Sequence, residues 1–109
     1  MRVLFDQGTP VPLRRSLPGH EITTAFERGW GEFENGDLLR AAETAGFDAI
    51  ITTDQNLRYQ QNLADRKLAI IVLFTTNRNI IRQHAPSVQT ALGKLVTGSY
   101  VELRFPPTP

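Results

Sequence analysis

Three short segments of this chain are apolar throughout and then turn abruptly polar. VLFD closes on Asp6, AIITTD closes on Asp54, and AIIVLF runs into Thr75, Thr76 and Asn77. A strand with one wet face alternates apolar and polar residues, whereas one covered on both faces reads as a continuous apolar run. The three runs therefore predict the middle of a mostly parallel sheet with helices on both faces, an α/β architecture. Strands are expected at 2–6, 20–26, 49–53, 69–74 and 100–105, about five in all. In the last, Val101, Leu103 and Phe105 alternate with Tyr100, Glu102 and Arg104, which places it at an edge.

Between the strands lie helical signals. A short helix is expected over 13–17, after the turn marked by Gly8, Pro10 and Pro12. Residues 36–45 form a second, with Asn35 as its cap, Leu38, Ala41, Ala42 and Ala45 inward, and Gly46 as its left-handed stop. A third runs from Asp54 to Arg66. A fourth starts near Pro86, buries Val88, Ala91, Leu92, Leu95 and Val96 at helical spacing, and ends at Gly98. The loop at 27–36, rich in glycine around Trp30, reads as a plug or a dimer contact. Residues 1–105 are expected to form one domain, with 106–109 a disordered proline-rich tail.

The 109 residues carry a net charge of +1 and no cysteine. Disulfides and thiolate chemistry are thereby excluded, and the composition fits a cytoplasmic protein. A charge so near zero means that any nucleic-acid contact depends on a local patch. No apolar run approaches the roughly 20 residues of a membrane helix, and the opening MRVLFDQG does not read as a signal peptide.

If the second strand flanks the first on one side and the third flanks it on the other, the winding reverses between strands 1 and 3. Open sheets bind ligands at the carboxyl ends of their strands beside such a reversal. Asp6 and Asp54 both end there, and Asp37, in the first turn of the helix after strand 2, leans toward the same edge. Three carboxylates brought together, with Asn56 as a neutral oxygen donor, would suit a hard cation, Mg²⁺ or Mn²⁺, that activates water against a phosphodiester. Taken singly, Asp37 and Asp54 also read as helix caps. His20 and His84 lie far apart and do not suggest a zinc pair. Arg14, Arg15, Arg58 and Arg78 are candidates for phosphate contacts. Tyr59 is a candidate for stacking on a base, although packing on the sheet is the more frequent fate of a helical aromatic.

The segments VLFDQGTPVPLRRSLPGHEI, NGDLLRAAETAGFDAIITTDQNL and AIIVL resemble the small PIN-like proteins, compact relatives of PIN-domain ribonucleases that occur as expected toxin components in bacteria. The resemblance covers roughly residues 1–75. It implies a three-layer PIN-like domain and metal-dependent hydrolysis of RNA, with Asp6, Asp37 and Asp54 as catalytic and metal-binding positions. It also implies an antitoxin partner. The open edge of the last strand offers a route to a homodimer. Gln7 and Asn56 stand where the family often carries acids. Loss of those carboxylates predicts weak metal binding, or a degenerate module that binds RNA or protein without cutting. A phosphate-receiving domain of the response-regulator class fits less well, because Gln7 replaces the second acid of the first strand and strand 4 ends in threonines.

Overall fold

A computed structural model of the chain describes residues 1–63 and 66–106. Five parallel strands form one sheet: β1 (Arg2–Phe5), β2 (Glu21–Thr24), β3 (Ala49–Thr52), β4 (Ala69–Leu73) and β5 (Tyr100–Leu103). Their spatial order is β2-β1-β3-β4-β5. The three apolar runs are thus the three central strands, and β5, half-buried along its length, is an edge. The winding reverses between β1 and β3.

Strand alternation divides the core into two layers. On one face Val3, Phe5, Ala49, Ile51, Ala69, Ile71 and Leu73 pack with Leu13 of a 3-10 helix (Val11–Ser16) and with Leu17 just after it. Ile81 of α3 (Arg78–Gln83) and Val88 and Leu92 of α4 (Ala85–Gly93) complete that layer. On the other face Leu4, Ile50, Ile70 and Val72 meet Leu38, Leu39 and Ala42 of α1 (Asn35–Thr44), together with Phe47, Leu68 and Leu57 of the short α2 (Leu57–Gln60). The result is a three-layer α/β domain.

Helix α1 ends in the manner its sequence announces. Gly46 adopts φ +83°, its N–H reaches Glu43 O, and the Phe47 N–H reaches Ala42 O at 3.0 Å. This pair of bonds closes the last turn and swings Phe47 into the core.

Several expectations are corrected. The helix expected over 54–66 is a single turn, Leu57–Gln60, after which Gln61 is extended; residues 64 and 65 lie outside the described residues, as do 107–109 of the expected tail. Leu57 is its one buried position, so no apolar stripe repays the cost of propagating the helix further. Tyr59 accordingly stays 72 % exposed and does not pack on the sheet. Asn77 accepts hydrogen bonds from Asn79 N and Ile80 N and starts α3, a helix not foreseen. Helix α4 stops at Gly93, five residues before Gly98, and Val96 is 71 % exposed. Gly98, at φ +78°, belongs to the turn into β5. In α1 the inward stripe includes Leu39, while Ala41 and Ala45 are only half-buried. Trp30 plugs its loop as expected: it stacks on Phe33, meets the edge of Phe47, and lies under the Arg28 guanidinium at 4.6 Å.

Among the described residues no helix is long and apolar enough to cross a membrane.

Candidate functional site at the carboxyl edge of the sheet

The parallel register places the acids. Phe5 pairs with Ile51, and the Asp6 N–H donates to Ile51 O at 3.2 Å. Asp6 therefore stands beside Thr52, and Asp54 lies two residues further out. The buried Thr52 hydroxyl joins them: it donates to Asp6 Oδ2 and accepts from the Asp54 N–H at 3.0 Å. The expected neighbourhood of Asp6 and Asp54 is real, but a threonine mediates it.

Asp6 also organises its own turn. Its Oδ1 accepts from the Thr9 N–H at 3.0 Å and lies 2.7 Å from Thr9 Oγ1. The same hydroxyl is 2.9 Å from Ile51 O, and its single hydrogen serves one acceptor at a time. Burial pushes the Asp6 carboxyl above its usual range, opposed by the hydrogen bonds from Thr52, Thr9 and Gly8. The protonated form fits the network without loss. It would donate to Thr9 Oγ1 and free the Thr9 hydrogen for Ile51 O.

Asp54 is held from two sides. Its Oδ2 accepts from the Asn35 amide, and its Oδ1 accepts from the Asn56 N–H at 2.9 Å. Asn56 thus contributes a backbone donor here rather than an amide oxygen. Asn35 does not cap α1 with its side chain, because the helix begins from Glu34. It stands three, four and seven residues before Leu38, Leu39 and Ala42, on the stripe that faces the sheet, which lets its amide reach Asp54. That spacing was the sequence signal for it. By the same geometry Asp37 points away from the sheet and pairs with Arg40, one turn on, at the surface. The expected convergence of Asp6, Asp37 and Asp54 is therefore corrected: α1 presents Asn35 at the edge and turns Asp37 outward.

A cleft of about 450 Å³ opens at this edge, lined by Asp6, Gln7, Thr9, Val11, Arg14, Thr24, Phe26 and Glu27. Arg14 bonds Glu27 at 2.9 Å and Ile22 O at 3.2 Å. The Thr24 N–H and the Arg14 guanidinium hold the Glu27 carboxyl below its ordinary range. Thr9 and Thr24, both buried, join Thr52 as polar residues that the sequence reading passed over.

The remaining candidates are dispersed. Arg58 pairs with Glu102 of β5 at 2.9 Å and lies over the Tyr59 ring. That pair sits on the α2 side of the sheet, away from the Asp6 cleft. Arg15 projects from the far side of the 3-10 helix into a second cavity with Arg78 and Arg82. Neither Asp37 nor Asp54 lines the Asp6 cleft.

A Mg²⁺ or Mn²⁺ centre built on three carboxylates needs donors that converge, and among the described residues no three His, Cys, Asp or Glu side chains do so. As placed, the oxygens of Asp6 and Asp54 accept hydrogen bonds from neutral donors of the chain itself. The donor set does not fit such a centre. No family model matches the chain, and no curated protein or solved structure matches it.

Proposed function

We propose that this chain is a PIN-like module that binds RNA at the carboxyl edge of its sheet without metal-dependent cleavage. One observation carries the reading, the contrast in how charges at this edge are partnered. Asp6, Asp54 and Glu27 each accept hydrogen bonds from neighbours in the chain, whereas among the described residues no acid lines the cavity of Arg15, Arg78 and Arg82. The cavity of Arg15, Arg78 and Arg82 is therefore a local cationic patch, which suits phosphate. The position agrees with the fold, since the edge flanks the reversal between β1 and β3 where open sheets take ligands.

A second reading, a metal-dependent ribonuclease acting as the toxin of an antitoxin pair, is favoured by the link through Thr52. Asp6 and Asp54 are two carboxylates at the ends of adjacent strands, and Mg²⁺ is often held by one or two carboxylates together with substrate phosphates and water.

The test separates the two. Binding of a labelled single-stranded RNA is followed by anisotropy in EDTA, and cleavage of the same RNA is followed with Mg²⁺ and with Mn²⁺. The expected result is salt-sensitive binding with no cleavage that Asp6→Asn removes. Mn²⁺-dependent cleavage abolished by Asp6→Asn would establish the second reading instead, and failure to bind RNA would sink the first.

A further inference from the structure

The chain has ten arginines, and seven are engaged. Arg14, Arg40, Arg58, Arg66 and Arg104 each pair with a carboxylate. Arg2 bonds Ala45 O, and Arg28 lies over Trp30. The three without such a partner among the described residues are Arg15, Arg78 and Arg82, and all three line one cavity of about 320 Å³. Its apolar lining comes from Pro10, Pro12, Leu13 and Ile81.

Both walls of this cavity come from stretches without a single acid. There is no Asp or Glu from residue 7 to 20, which holds the 3-10 helix, or from 66 to 101, which holds α3. Arg78 and Arg82 are one turn apart on α3, a like-charge spacing that disfavours a helix by a few tenths of a kcal/mol. Among the described residues no carboxylate pairs with either guanidinium. The cavity is also braced: Pro10 and Pro12 fix the backbone of one wall, and Leu13 and Ile81 anchor both walls in the same core layer. A braced site loses less entropy when a ligand orders it.

We propose that Arg15, Arg78 and Arg82 form the docking site for the phosphodiester backbone of a single-stranded RNA. This inference rests on the reading of the protein as an RNA-binding module. A guanidinium fork grips two phosphate oxygens at once, and the proline and aliphatic lining gives ribose and base faces an apolar surface. The 3-10 helix is the partition between this cavity and the Asp6 cleft, with Arg15 on one side and Arg14 on the other.

The test is anisotropy of a labelled single-stranded RNA in EDTA across a salt series, so that cleavage plays no part. The variants are Arg15→Ala/Arg78→Ala/Arg82→Ala and a control with the same loss of charge elsewhere, Arg40→Ala/Lys67→Ala/Lys94→Ala. Each phosphate contact on a single strand contributes a slope of about 0.7 in log K against log salt, or about fivefold in affinity near 0.1 M salt. The cavity variant should therefore lose about 100-fold and its slope should fall by about 2, while the control changes by less than about threefold. Equal losses in both triple variants would overturn the proposal, since binding would then follow net charge alone. So would undiminished binding by the cavity variant. A polyglutamate peptide that displaced the RNA at equal charge concentration would also overturn it, as the mark of an acidic protein partner. If wild type binds RNA and the cavity variant binds equally, this site alone is wrong. If wild type does not bind, the RNA reading falls with it. Mn²⁺-dependent cleavage would refute only the non-catalytic reading.

Discussion

Replacing Thr52 with valine keeps the shape of a side chain that is 2 % exposed and removes one hydroxyl. That hydroxyl is the donor to Asp6 Oδ2 and the acceptor for the Asp54 N–H. A hydrogen bond to a charged group is worth about 1.5–3 kcal/mol, and an orphaned N–H costs about 1–3 kcal/mol when fully buried. Asp54 is only half-buried, so water can reach its amide and the lower figure applies. Valine's extra apolar transfer offsets roughly 1 kcal/mol. The expected net loss is about 1.5–3 kcal/mol, or about 6–12 °C in Tm at roughly 4 °C per kcal/mol for a domain of this size. The loss has a pH signature. The Thr52 bond lowers the Asp6 pKa, and burial already holds it above its ordinary value of 3.8. Without the hydroxyl the folded pKa rises further, so the folded state binds more protons than the unfolded state over a wider window. Stability is then lost progressively as pH rises from about 3.8 through the folded pKa. Thermal melts of both proteins from acid to neutral pH provide the assay. A difference in Tm that grows toward neutrality is expected. A loss below about 1 kcal/mol, or one equally large at acid and neutral pH, would refute the claim that Thr52 stabilises an ionised Asp6.

Two further substitutions probe the same structure. In Asp6→Asn, Oδ1 still accepts from Thr9 and the new amide meets Thr52 Oγ1, while the cost of ionising a buried acid disappears. Because the folded pKa of Asp6 is raised, its contribution in wild type is fullest below 3.8 and is lost as pH rises through the folded pKa. The variant's stability relative to wild type should therefore be greatest at neutral pH and decline as pH falls, and chemical denaturation at several pH values checks the sign. Gly98→Ala would place a Cβ 2.8 Å from Arg66 O at a φ of +78°. The left-handed conformation alone costs about 1–2 kcal/mol, so a loss of about 2 kcal/mol or more is expected in the same denaturation measurement.

The layered fold was legible because its information is local. An uninterrupted run such as AIIVL can be buried only on both faces, and the five strands and the edge position of β5 follow from that patterning, whereas the reversal between β1 and β3 followed only if β2 and β3 flanked β1, which the tertiary pairing decided. The stop at Gly46 was equally plain, since the turn it makes requires positive φ. The site was legible only in outline. Asp6 and Asp54 do come to neighbouring strand ends, but the register of β1 against β3 decided that Asp6 would face Thr52, and no local pattern encodes register. Asn35 and Asp37 differ by only two positions in the sequence. The stripe of Leu38, Leu39 and Ala42 against the sheet turned one toward Asp54 and the other toward Arg40. The arginine cavity is the extreme case. Its acid-free stretches stand in the sequence for anyone to read, but Arg15 and Arg78 lie 63 residues apart, and only the packing of the 3-10 helix and α3 on one sheet face brings them to a common rim.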